Sequence, residues 1–228
     1  MGVHHSVEAV APDLPGFGLT RVAAPSAIRY GDWVATAEAL VRAELDGRPL
    51  YLVGASMGGM LAYDVAGRVP EVAGVVATAL LDPRDPAVRR AVGRFPALAR
   101  LPTVGMRPLD RVGVPMRFVA PMLTIANDPA LAAAVARDPL GGGGSMPVGF
   151  LRTFLESVPA VEPEVFDRPV VLVQPGADRW TPLAVSQPFF DRVGGPKELV
   201  LLENCGHLPV EEPGLTQLEQ ALVALLHR

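Results

Sequence analysis

Ser56 lies in Gly54-Ala55-Ser56-Met57-Gly58, a G-x-S-x-G pattern. A serine hydroxyl is a weak nucleophile until a neighbouring base takes its proton. Four histidines are available: His4, His5, His207 and His227. His207 sits in Asn204-Cys205-Gly206-His207-Leu208-Pro209, while the other three lie close to the two ends of the chain. A base of this kind needs an acid to orient its ring. Asp178, in Gly176-Ala177-Asp178-Arg179-Trp180-Thr181-Pro182, stands between nucleophile and base in the chain. The order Ser56, Asp178, His207 offers attack by serine, general-base help from histidine and an acid that holds the ring. Asp82, near the end of another apolar run, is the runner-up acid. It fits equally well as a cap for whatever follows it.

These residues need elements that bring them together. Leu50–Val53 is a short apolar run that predicts a buried strand, and Met57–Ala66 predicts a helix. A Gly/Ser turn without chemistry would also satisfy the pattern, but strand before and helix after is the context a nucleophile turn requires. Small residues on both flanks let the backbone turn sharply. The start of the helix then points free N–H groups and its positive dipole end at developing negative charge, so the Met57 amide is the candidate oxyanion donor.

Other strands are expected at Val7–Ala11, within Val72–Leu81, at Pro169–Gln174 and at Glu198–Leu202. Asp32 would cap a helix with Trp33, Ala37, Leu40 and Val41 on its apolar face; Leu183–Val193 and Leu215–His227 also read as helices. Such alternation predicts an α/β fold with a mostly parallel sheet, helices on both faces and right-handed crossovers. His207 and Asp178 both follow strands, at the sheet end where such folds gather their chemistry.

The stretch from about Pro83 to Phe166 breaks the rhythm and is too long for one loop. Helical patches at Ala130–Arg137 and Val148–Glu156 mark it as an inserted helical cap. The expected division is 1–82 and 167–228 as core, with 83–166 as cap. Gly141 to Gly144 followed by Ser145 has the composition of a flexible linker. Helical patterns on both sides favour a natural turn.

The chain has 228 residues, half of them apolar and 19 % charged, with a net charge of −4. That suits a packed core and offers no basic stripe for nucleic acid. Cys205 is alone, so an intrachain disulfide is excluded, and a reducing, cytoplasmic setting is expected. The N-terminus lacks a secretion-signal pattern, and no run is long and apolar enough to span a membrane. Met1 to Ser6 matches a loose myristoylation pattern, but nothing polybasic follows it. No metal-ligand cluster, phosphate loop or dinucleotide fingerprint is present, so neither metal nor cofactor is expected.

Together these motifs resemble the α/β-hydrolase superfamily, in particular its small capped esterases and monoacylglycerol-lipase-like or lysophospholipase-like members. Asp13-Leu14-Pro15-Gly16-Phe17-Gly18 is similar to the family's loop after its fourth strand. Gly54 to Gly59 resembles its nucleophile elbow, Gly176 to Pro182 its acid loop, and Gly206-His207 with Pro209 and Glu212-Pro213 its histidine loop. The resemblance implies a serine hydrolase cleaving carboxylic esters, short-chain or acylglycerol-like, through an acyl-enzyme on Ser56, with His207, Asp178 and Met57 in the roles above. Trp180 and Leu208 would line the substrate site. Met116, Phe118, Met122, Leu123, Phe150 and Phe154 would form an apolar lid, unless they are ordinary core.

The family begins with three strands, the third followed by a His-Gly loop that supplies the second oxyanion donor. Here Val7–Ala11 corresponds to the fourth, so the chain is expected to be truncated relative to the family. Loss of one oxyanion donor costs about 10²–10³ in turnover. The uncovered sheet edge would favour a homo-oligomer. Two other readings follow from the same residues. One is a cofactor-free perhydrolase, haloperoxidase-type enzyme or C–C hydrolase with the same triad. The other is an inactive truncated hydrolase serving as an interaction module.

Overall fold

The computed structural model describes residues 7–92 and 103–226, and the structural statements below concern those residues. His4, His5, His227 and the myristoylation-like pattern lie outside them. In chain order the elements are α1 (Tyr30–Ala43), β1 (Leu50–Gly54), α2 (Met57–Arg68), β2 (Val72–Ala77) and α3 (Pro86–Val92). Then come β3 (Gly113–Pro115), α4 (Met116–Val119), α5 (Pro129–Arg137), β4 (Ser145–Pro147) and α6 (Val148–Leu155). Last are β5 (Val170–Pro175), α7 (Leu183–Arg192), β6 (Lys197–Leu202) and α8 (Gly214–Leu226).

β1, β2, β5 and β6 form one sheet in that spatial order, parallel throughout. β2 (Val-Ala-Gly-Val-Val-Ala) and the first four residues of β5 (Val-Val-Leu-Val) lack polar side chains because both of their faces are covered. Successive side chains point to opposite faces. Val75, Ala77, Val170 and Leu172 join a large cluster with Trp33, Tyr63, Phe150 and Phe189. Val76, Val171 and Val173 face the other way, onto Leu218, Leu222 and Leu225 of α8. All four strands run the same way, so the loops after β1, β5 and β6 open on one edge of the sheet.

Asp32 works differently from expectation. The helix starts at Tyr30, and Asp32 in its first turn accepts the Arg29 N–H at 2.7 Å. It closes the helix start from inside.

The expected strand at Val7–Ala11 does not form. These residues are irregular and exposed, Val7 by 60 %. A strand needs a partner for its backbone groups, and two small alanines bury little apolar area in exchange. Its Glu8 carboxylate meets Arg48 at 2.9 Å in an exposed ion pair that contributes little. β1 therefore has one free edge among the described residues, and Val53 on it is 60 % exposed.

The segment between β2 and β5 is not purely helical, because β3 and β4 pair antiparallel. Nor do its six apolar residues form one lid. Phe150 and Phe154 are fully buried, and Tyr30 meets both rings edge-on, at 6.2 and 5.2 Å. Trp33 packs on Phe150 at 4.6 Å. Met122 is buried as well, while Phe118 and Leu123 are exposed. The glycine run is a packed turn: Gly143 N–H bonds to Asp138 O at 2.8 Å, and a methyl group on Gly142 or Gly143 would crowd the last turn of α5.

Asp64, in α2, is a buried carboxylate with 3 % exposure. Its Oδ1 accepts the Ala160 N–H at 3.0 Å and its Oδ2 the Tyr30 hydroxyl at 3.2 Å. Burial pushes its carboxyl up to about 6, against the pull of both hydrogen bonds and of the Arg68 charge. The folded value lies above the unfolded one, so the native chain holds the proton more tightly. Its contribution favours folding most at or below about pH 4 and falls as pH rises through about 6. Raising a carboxyl from its ordinary value near 4 to about 6 costs roughly 3 kcal/mol at neutral pH. Asp64→Asn keeps an acceptor for Ala160 and reverses the second bond, so that its NH2 donates to the Tyr30 oxygen. It is expected to exceed wild type in stability by about 1–3 kcal/mol near pH 8 and to lose that margin near pH 4. Urea unfolding at the two pH values measures the margin; an equal margin at both would clear Asp64 as its source.

Candidate active site

β1 delivers the chain into a turn that only small residues permit. Ser56 has φ 54° and ψ −124°, a left-handed conformation that side chains rarely adopt. A methyl group on Gly54 would overlap the Gly58 carbonyl, and one on Gly59 would overlap the Ala79 carbonyl. Gly58, the last glycine of the pattern, has open space where a methyl would go. The turn is locked from the side by Thr78, the first residue past β2. Its hydroxyl accepts the Ser56 N–H at 2.9 Å, and its own N–H bonds to Gly54 O at 3.0 Å. Met57 opens α2, so its N–H has no acceptor within the helix.

Asp178 and His207 meet, although 29 positions separate them in the chain. Asp178 follows β5 and His207 follows β6, and both are buried. His207 Nδ1 lies 2.9 Å from Asp178 Oδ2. The acceptor is a carboxylate, so the ring carries its proton on Nδ1 and leaves Nε2 unprotonated. Asp178 Oδ2 also accepts the Thr181 hydroxyl at 2.8 Å. Oδ1 accepts the N–H groups of Trp180 and Thr181 at 2.8 and 3.0 Å. Burial pushes the Asp178 carboxyl up, but the bond and charge of His207 together with the Thr181 donors outweigh it, and the net shift is downward. Asp178 is therefore held in its ionised form. The runner-up, Asp82, is engaged elsewhere, in an ion pair with Arg84 at 2.8 Å.

A family model described as the alpha/beta hydrolase family matches residues 2–216. The chain belongs to the alpha/beta hydrolase family. Several solved structures share the fold of this α/β hydrolase. A monoacylglycerol lipase from Paleococcus ferrophilus is 20 % identical, with a TM-score of 0.63 over 88 % of this chain and 76 % of that one. A soluble variant of monoglyceride lipase from Saccharomyces cerevisiae is 17 % identical, with a TM-score of 0.68 over 94 % of this chain and 75 % of that one. The α/β hydrolase GrgF from Penicillium sp. sh18 is 20 % identical, with a TM-score of 0.62 over 93 % and 76 %. No curated protein matches the chain.

In this α/β hydrolase the histidine loop is tied to the segment before α5. Leu208 N–H bonds to Ile125 O at 2.6 Å, and Asn127 Nδ2 to Asn204 O at 2.7 Å. The Glu211 carboxylate joins the two pieces, accepting the N–H of Asn127 at 2.7 Å and of Gly206 at 3.0 Å. Leu208 and Trp180, expected at the substrate site, both make internal contacts. The Trp180 ring lies over the His207 ring with centroids 4.4 Å apart, and its Nε1–H bonds to Ala91 O at 2.9 Å. Cys205 is buried with its thiol directed at Glu211 O, and burial pushes the thiol up, as suits an inert filler.

The Ser56 hydroxyl makes no hydrogen bond to His207 among the described residues. Bonds of this type often close only when substrate is present. Sequence motifs alone do not reveal Thr78, Thr181 or Glu211 as members of the site. Thr181 alone leaves a local trace: Asp178 followed by donors two and three residues on is an Asx-type turn. Among the described residues no group of three or more His, Cys, Asp or Glu is arranged to hold a metal, and no helix is long and apolar enough to cross a membrane.

Proposed function

We propose that the chain is a serine hydrolase that cleaves carboxylic esters. The observation that carries this reading is the buried Asp178–His207 pair, on the same sheet edge as a strained serine at the start of α2. Ser56 Oγ attacks the acyl carbonyl while His207 Nε2 takes its proton. Asp178 holds the ring and balances the charge of the imidazolium. The Met57 N–H, at the positive end of α2, stabilises the oxyanion. His207 then returns the proton to the leaving alcohol, and water releases the acid from Ser56 by the same route. Acylglycerol-like or short-chain esters are the substrate class, in keeping with the monoacylglycerol and monoglyceride lipases that share the fold.

A fluorophosphonate probe tests the nucleophile. Wild type is expected to label covalently and Ser56→Ala to remain unlabelled. Equal labelling of the two would remove Ser56 from the mechanism.

The interaction-module reading has one observation in its favour, the free edge of β1 with Val53 exposed. Turnover of a nitrophenyl ester that His207→Ala abolishes rules it out. A perhydrolase with the same triad would show peroxide-dependent halogenation.

A further inference from the structure

We infer that Thr181 is a positioning residue for His207: its hydroxyl shares one oxygen of Asp178 with the ring and so governs how strongly acid and base are joined. The inference deepens the hydrolase reading, but its spectroscopic test does not depend on turnover.

Thr181 is 1 % exposed, so its hydroxyl must find its partners inside the protein. It lies 2.8 Å from Asp178 Oδ2 and 3.1 Å from His207 Nδ1, which are themselves 2.9 Å apart. Three polar atoms thus close a triangle. Two protons, on Thr181 Oγ1 and on Nδ1, point at one ionised oxygen.

The triangle is rigid. The Thr181 N–H is bound by Asp178 Oδ1 at 3.0 Å, and its carbonyl accepts Gln174 Nε2 of β5 at 3.1 Å. The hydroxyl is therefore aimed by the backbone on both sides. Trp180 closes one face of the imidazole. Among the described residues, the Asp178 carboxylate, from the loop after β5, bonds the ring, and the Glu211 carboxylate beside the histidine loop is taken up by the Gly206 and Asn127 N–H groups.

The arrangement discriminates between ring tautomers. With the ring proton on Nδ1, Oδ2 has two donors. With it on Nε2, the hydroxyl would have to choose between Nδ1 and Oδ2, leaving one buried acceptor unbonded, an unfavourable state. The triangle thus keeps Nε2 free to receive the Ser56 proton. A second donor on Oδ2 also disperses its charge. Removing the hydroxyl concentrates that charge on the Nδ1–H bond, which strengthens it. The hydroxyl therefore both orients the carboxylate and moderates its hold on the base.

Thr181→Val and Thr181→Ala remove the hydroxyl with different residual volumes; Thr181→Ser keeps it. The first readout is the downfield Nδ1 proton resonance, assigned by its loss in His207→Gln. It is expected to move further downfield in the Val and Ala variants and to stay in place in Ser. The second is the steady-state kinetics of ester hydrolysis: kcat is expected to fall about tenfold in Val and Ala with KM unchanged, while Ser matches wild type. A resonance unmoved in whichever of Val or Ala folds, or one that moves as far in Ser, overturns the inference. Absence of turnover in wild type would instead count against the hydrolase reading, and the resonance would still decide the role of Thr181.

Discussion

Asp178→Asn is expected to remain folded and to lower kcat for a nitrophenyl ester by about 10⁴. The reason lies in what surrounds the carboxylate. Oδ1 faces two N–H donors, from Trp180 and Thr181, so an amide must place its oxygen there. Its NH2 group then faces His207 Nδ1 and the Thr181 hydroxyl. A donor opposite Nδ1 drives the ring proton to Nε2, and the base can no longer accept from Ser56. The opposite orientation would set NH2 against two N–H groups and is worse. Stability should change little, because volume and bond count are nearly preserved. Asp82→Asn is the matched control: its carboxylate serves Arg84, and kcat should stay within about threefold of wild type. Steady-state kinetics on the two variants decide the matter. If Asp178→Asn keeps a tenth or more of the wild-type rate, Asp178 is not the acid.

Gly59→Ala is expected to destabilise the fold by about 3 kcal/mol or more, or to prevent folding, while Gly58→Ala is tolerated. A methyl group on Gly59 would overlap the Ala79 carbonyl and press on Ala77 Cβ. Both neighbours belong to the β2 strand and its exit, which cannot swing aside as a flexible side chain would. α2 would have to lift off the sheet and carry Ser56 and Met57 with it. At Gly58 there is open space in a helical position, so alanine gains up to about 1 kcal/mol from better helix propensity. Urea midpoints distinguish the two; similar stability of both variants would mean that α2 does not approach β2 as closely as described. The familiar spacing of the pattern points at Gly58, yet Gly59 carries the packing constraint.

What the sequence determined by itself was local. Apolar runs marked β1, β2, β5 and β6, and 3.6-residue periodicity marked α1, because each element must bury its own face. The elbow was readable because a left-handed Ser56 between small residues is a backbone constraint, written within a few positions. Chain order assigned Ser56, Asp178 and His207 to loops that a parallel sheet opens on one edge.

What only the tertiary structure decided depends on partners distant in the chain. Val7–Ala11 has strand-like residues, but no neighbouring strand pairs with it, so it stays irregular. Phe150 and Phe154 read as lid or, somewhat more readily, as core, and only Tyr30 and Trp33 packed against them decide it. Asp64 carries no sign in the sequence of the burial that raises it to about 6. The sequence ranked Asp178 ahead of Asp82, but the contacts themselves, Asp178 against His207 and Asp82 against Arg84, exist only in the fold. Periodicity and turn chemistry are properties of neighbouring residues and survive in one dimension; burial, hydrogen-bond partnership and pKa are properties of the space around a group, and that space is assembled only when the chain closes on itself.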